Sequence, residues 1–220
     1  MSTKHGGQNI AGPDINLSAI TGIVLCGGAG RRMGGRDKPL ELLQDRPLID
    51  HVHERLRGQV SRIVISCNRN HHRYAAWTPR CVHDAVPGLG PLGGIVSALA
   101  QVHTPWAFVC PGDAPQVHVG LVARLAAACM QARTANPDSL CVAVPHDGLQ
   151  LQPLFMLVPV AAAASLQAYL VRGKRSVHGW LALQHAVNVA CADIEASFAN
   201  ANSPSELVAL HARTNAQGAG

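Results

Sequence analysis

Aromatic residues are scarce in this chain: Phe, Trp and Tyr together make up 4% of it. The core must therefore be mostly aliphatic. No basic stripe interleaved with aromatics is present either, so a nucleic-acid partner is not expected. No apolar run reaches the roughly 20 residues that a membrane helix requires. The longest, Leu157–Val171, is broken by Pro159 and by polar residues. The N-terminal stretch "MSTKHGGQNIAGPDINLSAI" lacks a hydrophobic signal core. It reads as a loose leader on a cytoplasmic protein with no membrane partner. Seven cysteines occur without a C-x-x-C pair, and twelve histidines without an H-E-x-x-H pair. An odd cysteine count without such spacing reads as reduced, structural thiols, and no zinc site is expected. Four of them, Cys26, Cys67, Cys110 and Cys141, fall in or beside predicted strands, where a free thiol behaves as a small hydrophobe.

What is present is enough for one α/β domain. The chain has 220 residues, of which 48% are hydrophobic, and a formal charge of +5 that suits anionic partners. Short apolar runs alternate with helical patterns. Strands are predicted at "GIVLC" (22–26), "RIVIS" (62–66), "CVHD" (81–84), "WAFVC" (106–110), "LCVAV" (140–144), "QPLFMLV" (152–158) and near 186–190. Helices are predicted over 47–59, 95–102, 119–132, near 161–170 and over 177–184. A closing helix begins at "SPSELVAL" (203–210), where Ser203, Pro204 and Glu206 form a capping pattern. The βαβα order predicts a Rossmann-like three-layer α/β/α fold with a mainly parallel central sheet. The expected division is a flexible leader over 1–19, a single domain over 20–212 and a flexible tail over 213–220.

In open parallel sheets, ligands bind outside the carboxyl ends of the strands. Four polar clusters fall at such ends: "LCGGAGRRMGGRDKPL" (25–40), "SCNRN" (66–70), "HDAVPGLGPLGG" (83–94) and "PGDAP" (111–115). The first holds five glycines and four basic residues, Arg31, Arg32, Arg36 and Lys38, against one acid. Glycines let backbone N–H groups approach an anion closely, and the cations suit phosphate oxygens. The loop matches neither familiar nucleotide fingerprint. Met33 stands where the dinucleotide pattern needs its third glycine, and Arg36-Asp37 stand where Walker A needs Lys and Ser or Thr. Asp113, held between Pro111 and Pro115 after a buried strand, suits either a turn cap or a Mg²⁺ ligand beside substrate phosphates. Asp147 in "HDG" reads as a hairpin turn.

The opening loop resembles the L-x-G-G-x-x-x-R-M-G-x-x-x-K signature of nucleotidyltransferases that activate sugars, lipid precursors or pterin cofactors. With "RIVISCNRN", "HDAVPGLGPLGG", "FVCPGDAP", "VPHDG", "GKRSV" and "FANANSPSEL" in order, the chain resembles the bacterial molybdenum cofactor guanylyltransferases over nearly its whole length. The resemblance implies transfer of GMP from GTP to the terminal phosphate of molybdopterin, with release of pyrophosphate. It implies nucleotide contacts at Leu25, Cys26, Gly27, Lys38, Ser66, Asn68, Asp84, Gly93 and Asp113, with Asp113 also the metal ligand for Mg²⁺, or for Mn²⁺ in its place. Relatives often carry Ala at the position of Cys26, and can carry Asn at that of Ser66. Partners implied are GTP, molybdopterin, and proteins that deliver molybdopterin or mature molybdoenzymes.

The chemistry needs no general base. A phosphate monoester has a second pKa of about 6, so it is largely deprotonated at neutral pH. The obstacles are repulsion between anions and charge growing on pyrophosphate, which Arg32, Lys38 and a cation on Asp113 would answer as the catalytic groups. Lys174 and Arg175 would either meet the pterin phosphate or form a solvated basic turn. Asn200 and Asn202 would bind the second substrate, complete the metal shell, or serve as ordinary turn residues. Two alternatives stay open: a nucleotidyltransferase that uses CTP or a phosphorylated sugar or alcohol acceptor, and a non-catalytic nucleotide-binding regulator.

Overall fold

The buried apolar runs pair into one twisted seven-stranded sheet. A computed structural model describes residues 15–27, 36–86, 88–136, 140–200 and 206. In chain order its strands are β1 (Ile20–Leu25), β2 (Leu42–Leu43), β3 (Arg46–Pro47), β4 (Arg62–Ser66), β5 (Cys81–Val82), β6 (Trp106–Pro111), β7 (Cys141–His146), β8 (Leu157–Pro159) and β9 (His185–Ala190). The helices are α1 (Leu48–Leu56), α2 (His71–Tyr74), α3 (Pro91–Leu99), α4 (Leu121–Ala135), α5 (Ala163–Val171) and α6 (Val177–Leu181). The large sheet runs β5-β4-β1-β6-β8-β7-β9, and β2 and β3 form a separate two-stranded ribbon. β1 pairs in parallel with both β4 and β6, so the chain order reverses around it. That reversal is the switch point at which open α/β sheets open a crevice.

Alternation along the strands builds two cores. Val24, Ile65, Phe108 and Cys110 face α1 and α4 on one side of the sheet. Ile23, Val64, Ala107 and Val109 face α3, α5 and α6 on the other. The expected three layers follow. α1 shows how a helix is held: Leu48, Ile49, Val52 and Leu56 are each fully buried, and burial of such a side chain contributes about 1.5–3 kcal/mol. Asp147 closes its turn as expected, its Oδ1 accepting from the backbone N–H groups of Leu149 at 2.8 Å and Gln150 at 2.7 Å.

Three features depart from the sequence reading. The expected strand over 152–158 is strand only at Leu157–Pro159. Phe155 and Met156 are buried without being in a strand, so the apolar run there records burial rather than pairing. β8 is antiparallel to both β6 and β7, so the sheet is mainly parallel, as expected, with this one strand reversed. α3 begins at Pro91, inside the stretch expected to be loop, with Gly90 as its cap at φ 66°. Pro at the first helical position carried that signal. Finally, residues 15–19 of the expected leader are folded: Ile15 is buried, and Asn16 caps a 3₁₀ turn over Leu17–Ala19. The expected closing helix over 203–210 lies outside the described residues except for Glu206, which is helical.

Candidate active site

The carboxyl ends of β1, β4 and β6 open into a cavity of about 650 Å³. That lies within the usual range for small-molecule sites. Leu25, Cys26 and Gly27 form its floor where β1 ends, Ser66 and Asn68 its wall where β4 ends, and Pro111 and Asp113 its wall where β6 ends. Asp84, the start of α3, Leu154 and Asn200 close the rim. The backbone N–H of Cys26 donates to Ser66 O at 2.7 Å, and that of Gly112 donates to Leu25 O at 2.9 Å, so the three strand ends are tied together. Burial pushes the Cys26 thiol well up, so it is a neutral, packed group.

The end of the glycine loop is anchored by a residue that the sequence did not mark. Asp37 has a buried carboxylate, its side chain 7% exposed. It accepts from Asn70 Nδ2 at 2.8 Å and from Tyr74 Oη at 2.8 Å, and Arg69 Nε stands 3.9 Å away. Arg69 also donates to Arg36 O at 2.9 Å. Lys38 follows at once in a 3₁₀ turn over Lys38–Leu40. The segment after β4 therefore fixes where the loop delivers its lysine.

The opposite wall is a reciprocal clasp. Asn68 Nδ2 donates to Asp84 Oδ2 at 2.8 Å, and the Asp84 N–H donates back to Asn68 Oδ1 at 2.9 Å. α3 packs against this clasp through Gly94. A Cβ there would stand 2.6 Å from Ser66 Oγ and 3.3 Å from Asp84 Oδ1, so the helix can approach only because the position is glycine. The nine-residue α3 starts at the cavity, bringing its positive end to the site.

Asp113 stands at the end of β6. Burial raises its carboxyl above the ordinary value; the Lys38 ammonium lowers it again, and Glu206 adds a smaller upward push. The lysine after the glycine loop and the acid after β6 are thus electrostatic neighbours. Asn200 adds a buried side-chain oxygen that lacks a hydrogen-bond partner among the described residues. An ionisable carboxylate and an orphaned carbonyl oxygen are the hard oxygen donors that Mg²⁺ or Mn²⁺ takes, so the residues fit such an ion.

The MobA-like NTP transferase domain family matches residues 22–189. A molybdenum cofactor guanylyltransferase from Cupriavidus taiwanensis is 41% identical over 198 residues, covering 88% of this chain and 97% of the relative. The protein of that name from Shewanella halifaxensis is 37% identical, covering 85% and 91%. The chain belongs to the molybdenum cofactor guanylyltransferase family. Among solved structures, molybdopterin-guanine dinucleotide biosynthesis protein A from Archaeoglobus fulgidus superposes with a TM-score of 0.69 at 22% identity, covering 89% of this chain and 98% of that one.

In this guanylyltransferase family member, Leu25, Cys26, Gly27, Ser66, Asn68, Asp84, Asp113 and Asn200 all line one cavity. Gly93 does not: it lies beneath Leu89, whose Cβ would be 2.7 Å from any Cβ there, and Gly94 takes the cavity side. The helical start at Pro91 causes the swap, because the turn sends the two glycines in different directions. Lys174 and Arg175 are not brought to the cavity. Arg175 Nη1 donates to Leu170 O and Lys174 O, each at 2.8 Å, and Lys174 Nζ lies 5.7 Å from the Tyr169 ring centroid. Both cations therefore finish the turn after α5. Arg32 and Asn202 lie outside the described residues.

Proposed function

We propose that the chain transfers GMP from GTP to the terminal phosphate of molybdopterin and releases pyrophosphate. The observation that carries this reading is the joining of the Asn68–Asp84 clasp and half-buried Asp113 around one cavity, with Lys38 the electrostatic neighbour of Asp113, in a chain 41% identical to a protein of that name. The acceptor phosphate is already anionic near neutral pH, so the site has to suppress repulsion rather than remove a proton. Lys38 brings positive charge to the triphosphate, and the start of α3 adds a second positive pole. The Asn68–Asp84 clasp holds β4 and the segment after β5 at a fixed spacing, so the nucleotide meets a preformed wall. Asp113, with Asn200, would hold Mg²⁺, or Mn²⁺ in its place. When bound, the cation supplies charge beside the α-phosphate, where negative charge grows.

GTP and molybdopterin are then the substrates, and the reading extends to proteins that deliver molybdopterin and mature molybdoenzymes in the cytoplasm. Among the described residues, no helix is long and apolar enough to cross a membrane. The test is pyrophosphate release with Mg²⁺ and molybdopterin, run with GTP and with CTP. Turnover with GTP at a kcat/KM at least tenfold above CTP is expected. Preference for CTP would overturn the base assignment, and nucleotide binding without pyrophosphate release would make the protein a regulator.

A further inference from the structure

Beside the cavity lies a sulfur and nitrogen cluster that nucleotidyl transfer does not use. Cys67 follows β4 directly. The chain then turns through Asn70 at φ 54°, which starts α2 at His71. β5 lies parallel to β4, with Ile65 opposite Cys81, and the Cys67 N–H donates to Val82 O at 2.9 Å. The sequence pattern is C-x3-H-x9-C-x-H, running from Cys67 through His71 and Cys81 to His83. It escapes the usual C-x-x-C test because parallel pairing, not a tight turn, brings the two cysteines together.

The distances are those of a ligand set. One ligand atom from each of Cys67, His71 and Cys81 lies within 4.8 Å of the others. Cys67 Sγ stands 3.7 Å from each ring nitrogen of His71. Around a tetrahedral zinc, with Zn–S about 2.3 Å and Zn–N about 2.0–2.1 Å, sulfur and nitrogen are about 3.6 Å apart and two sulfurs about 3.8 Å apart. Little movement is needed for all three atoms to share one ion. Cys67 is buried, while His71 and Cys81 are half-buried, which leaves a route in from solvent. His83 stacks on His71 with ring centroids 3.5 Å apart, and so holds the imidazole in place.

We propose that Cys67, His71 and Cys81 bind one thiophilic divalent ion of the zinc class, with solvent in its fourth position. On binding, each cysteine releases its thiol proton to solvent and its sulfur joins the metal, while His71 donates a ring-nitrogen lone pair. The site is separate from the Asp113 oxygen donors and differs in chemistry, since thiolate and imidazole suit zinc whereas carboxylate and amide oxygen suit magnesium. Cys67 adjoins Asn68, and Cys81 lies on the strand that leads to Asp84, so an ion here would brace the clasp from behind.

The reduced, chelator-stripped full chain is titrated with Co²⁺ and then Zn²⁺. One equivalent of Co²⁺ should give thiolate-to-cobalt charge-transfer bands and intense tetrahedral d–d bands, which one equivalent of Zn²⁺ then abolishes. His71→Ala and Cys81→Ser should each weaken Zn²⁺ binding by at least about tenfold. His72→Ala, one exposed residue along, should leave it unchanged. Absence of the charge-transfer bands in the wild-type chain would overturn the proposal, and so would bands that persist at full affinity in both ligand variants. Should either variant fail to fold, the wild-type cobalt spectrum still decides whether thiolates bind.

Discussion

Replacing Tyr74 by Phe removes one hydroxyl and leaves its buried ring in place. The lost contact is the 2.8 Å hydrogen bond from Tyr74 Oη to Asp37 Oδ1. Burial raises the phenol far above its usual range, so it remains a donor at every working pH. A hydrogen bond to a charged group contributes about 1.5–3 kcal/mol. At roughly 2–4 °C per kcal/mol for a chain of this size, the Tm of Tyr74→Phe should fall by about 3–12 °C. Asp37→Asn removes the charge from the acceptor, and also perturbs the contact with Asn70 Nδ2 at 2.8 Å. Because both single variants weaken or remove the same bond, the double variant should be less destabilised than the sum of the two, by about 0.5–3 kcal/mol. Denaturant unfolding of the four proteins measures this coupling. The kinetics should separate the two residues. Asp37→Asn, next to Lys38, should raise the KM for GTP more than Tyr74→Phe does. A coupling below about 0.5 kcal/mol, within ordinary additivity, would refute the idea that Tyr74 holds the loop through Asp37.

Asp113→Asn should abolish most pyrophosphate release while stabilising the fold near neutral pH. The folded carboxyl is raised above its unfolded value, so stability is lost as pH rises through the folded pKa, and the amide escapes that loss. The gain should shrink below about pH 4, where the acid is protonated in both states; denaturant unfolding at pH 8 and pH 3.5 checks the sign, and an equal gain at both would contradict it. Gly94→Ala adds a methyl 2.6 Å from Ser66 Oγ. Overpacking of about 1–3 kcal/mol outweighs a helix-propensity gain of about 1 kcal/mol, so calorimetry should show weaker GTP binding and thermal melts a Tm no higher than wild type. Asn68→Asp sets a second carboxylate against Asp84 in place of the 2.8 Å amide donor, and should raise the KM for GTP at least about fivefold while changing kcat less.

Much of this arrangement could be read before folding. "RIVIS" and "WAFVC" announced buried strands because parallel strands covered on both faces are continuously apolar. The polar clusters after them fell at the crevice because the sheet order places them there. Asp37 was missed because its partners, Asn70 and Tyr74, are more than thirty residues away in sequence, and a carboxylate in a glycine-rich basic loop looks like a solvated charge. α3 was read as starting late because Gly93 and Gly94 resemble loop residues, and only close packing on Ser66 explains glycine inside a helix. The direction of β8 was invisible because apolar content marks burial and carries no sense of direction.

β8 also shows how the far edge of the sheet is joined to the rest of the molecule. It is three residues long and lies between β6 and β7, in register with β7 at Ala143 and Leu157 alone. β1, β4 and β6 stand on one side of this narrow seam and β7 and β9 on the other, yet the chain after β9 crosses back: Ala199 packs against Leu43 and Leu48, and Asn200 lines the cavity. The cavity therefore gains a lining residue from the chain beyond β9 without any lining residue from β7 or β9 themselves. Asn200 is thereby seated against the α1 side of the molecule, with the strands that carry the rest of the cavity.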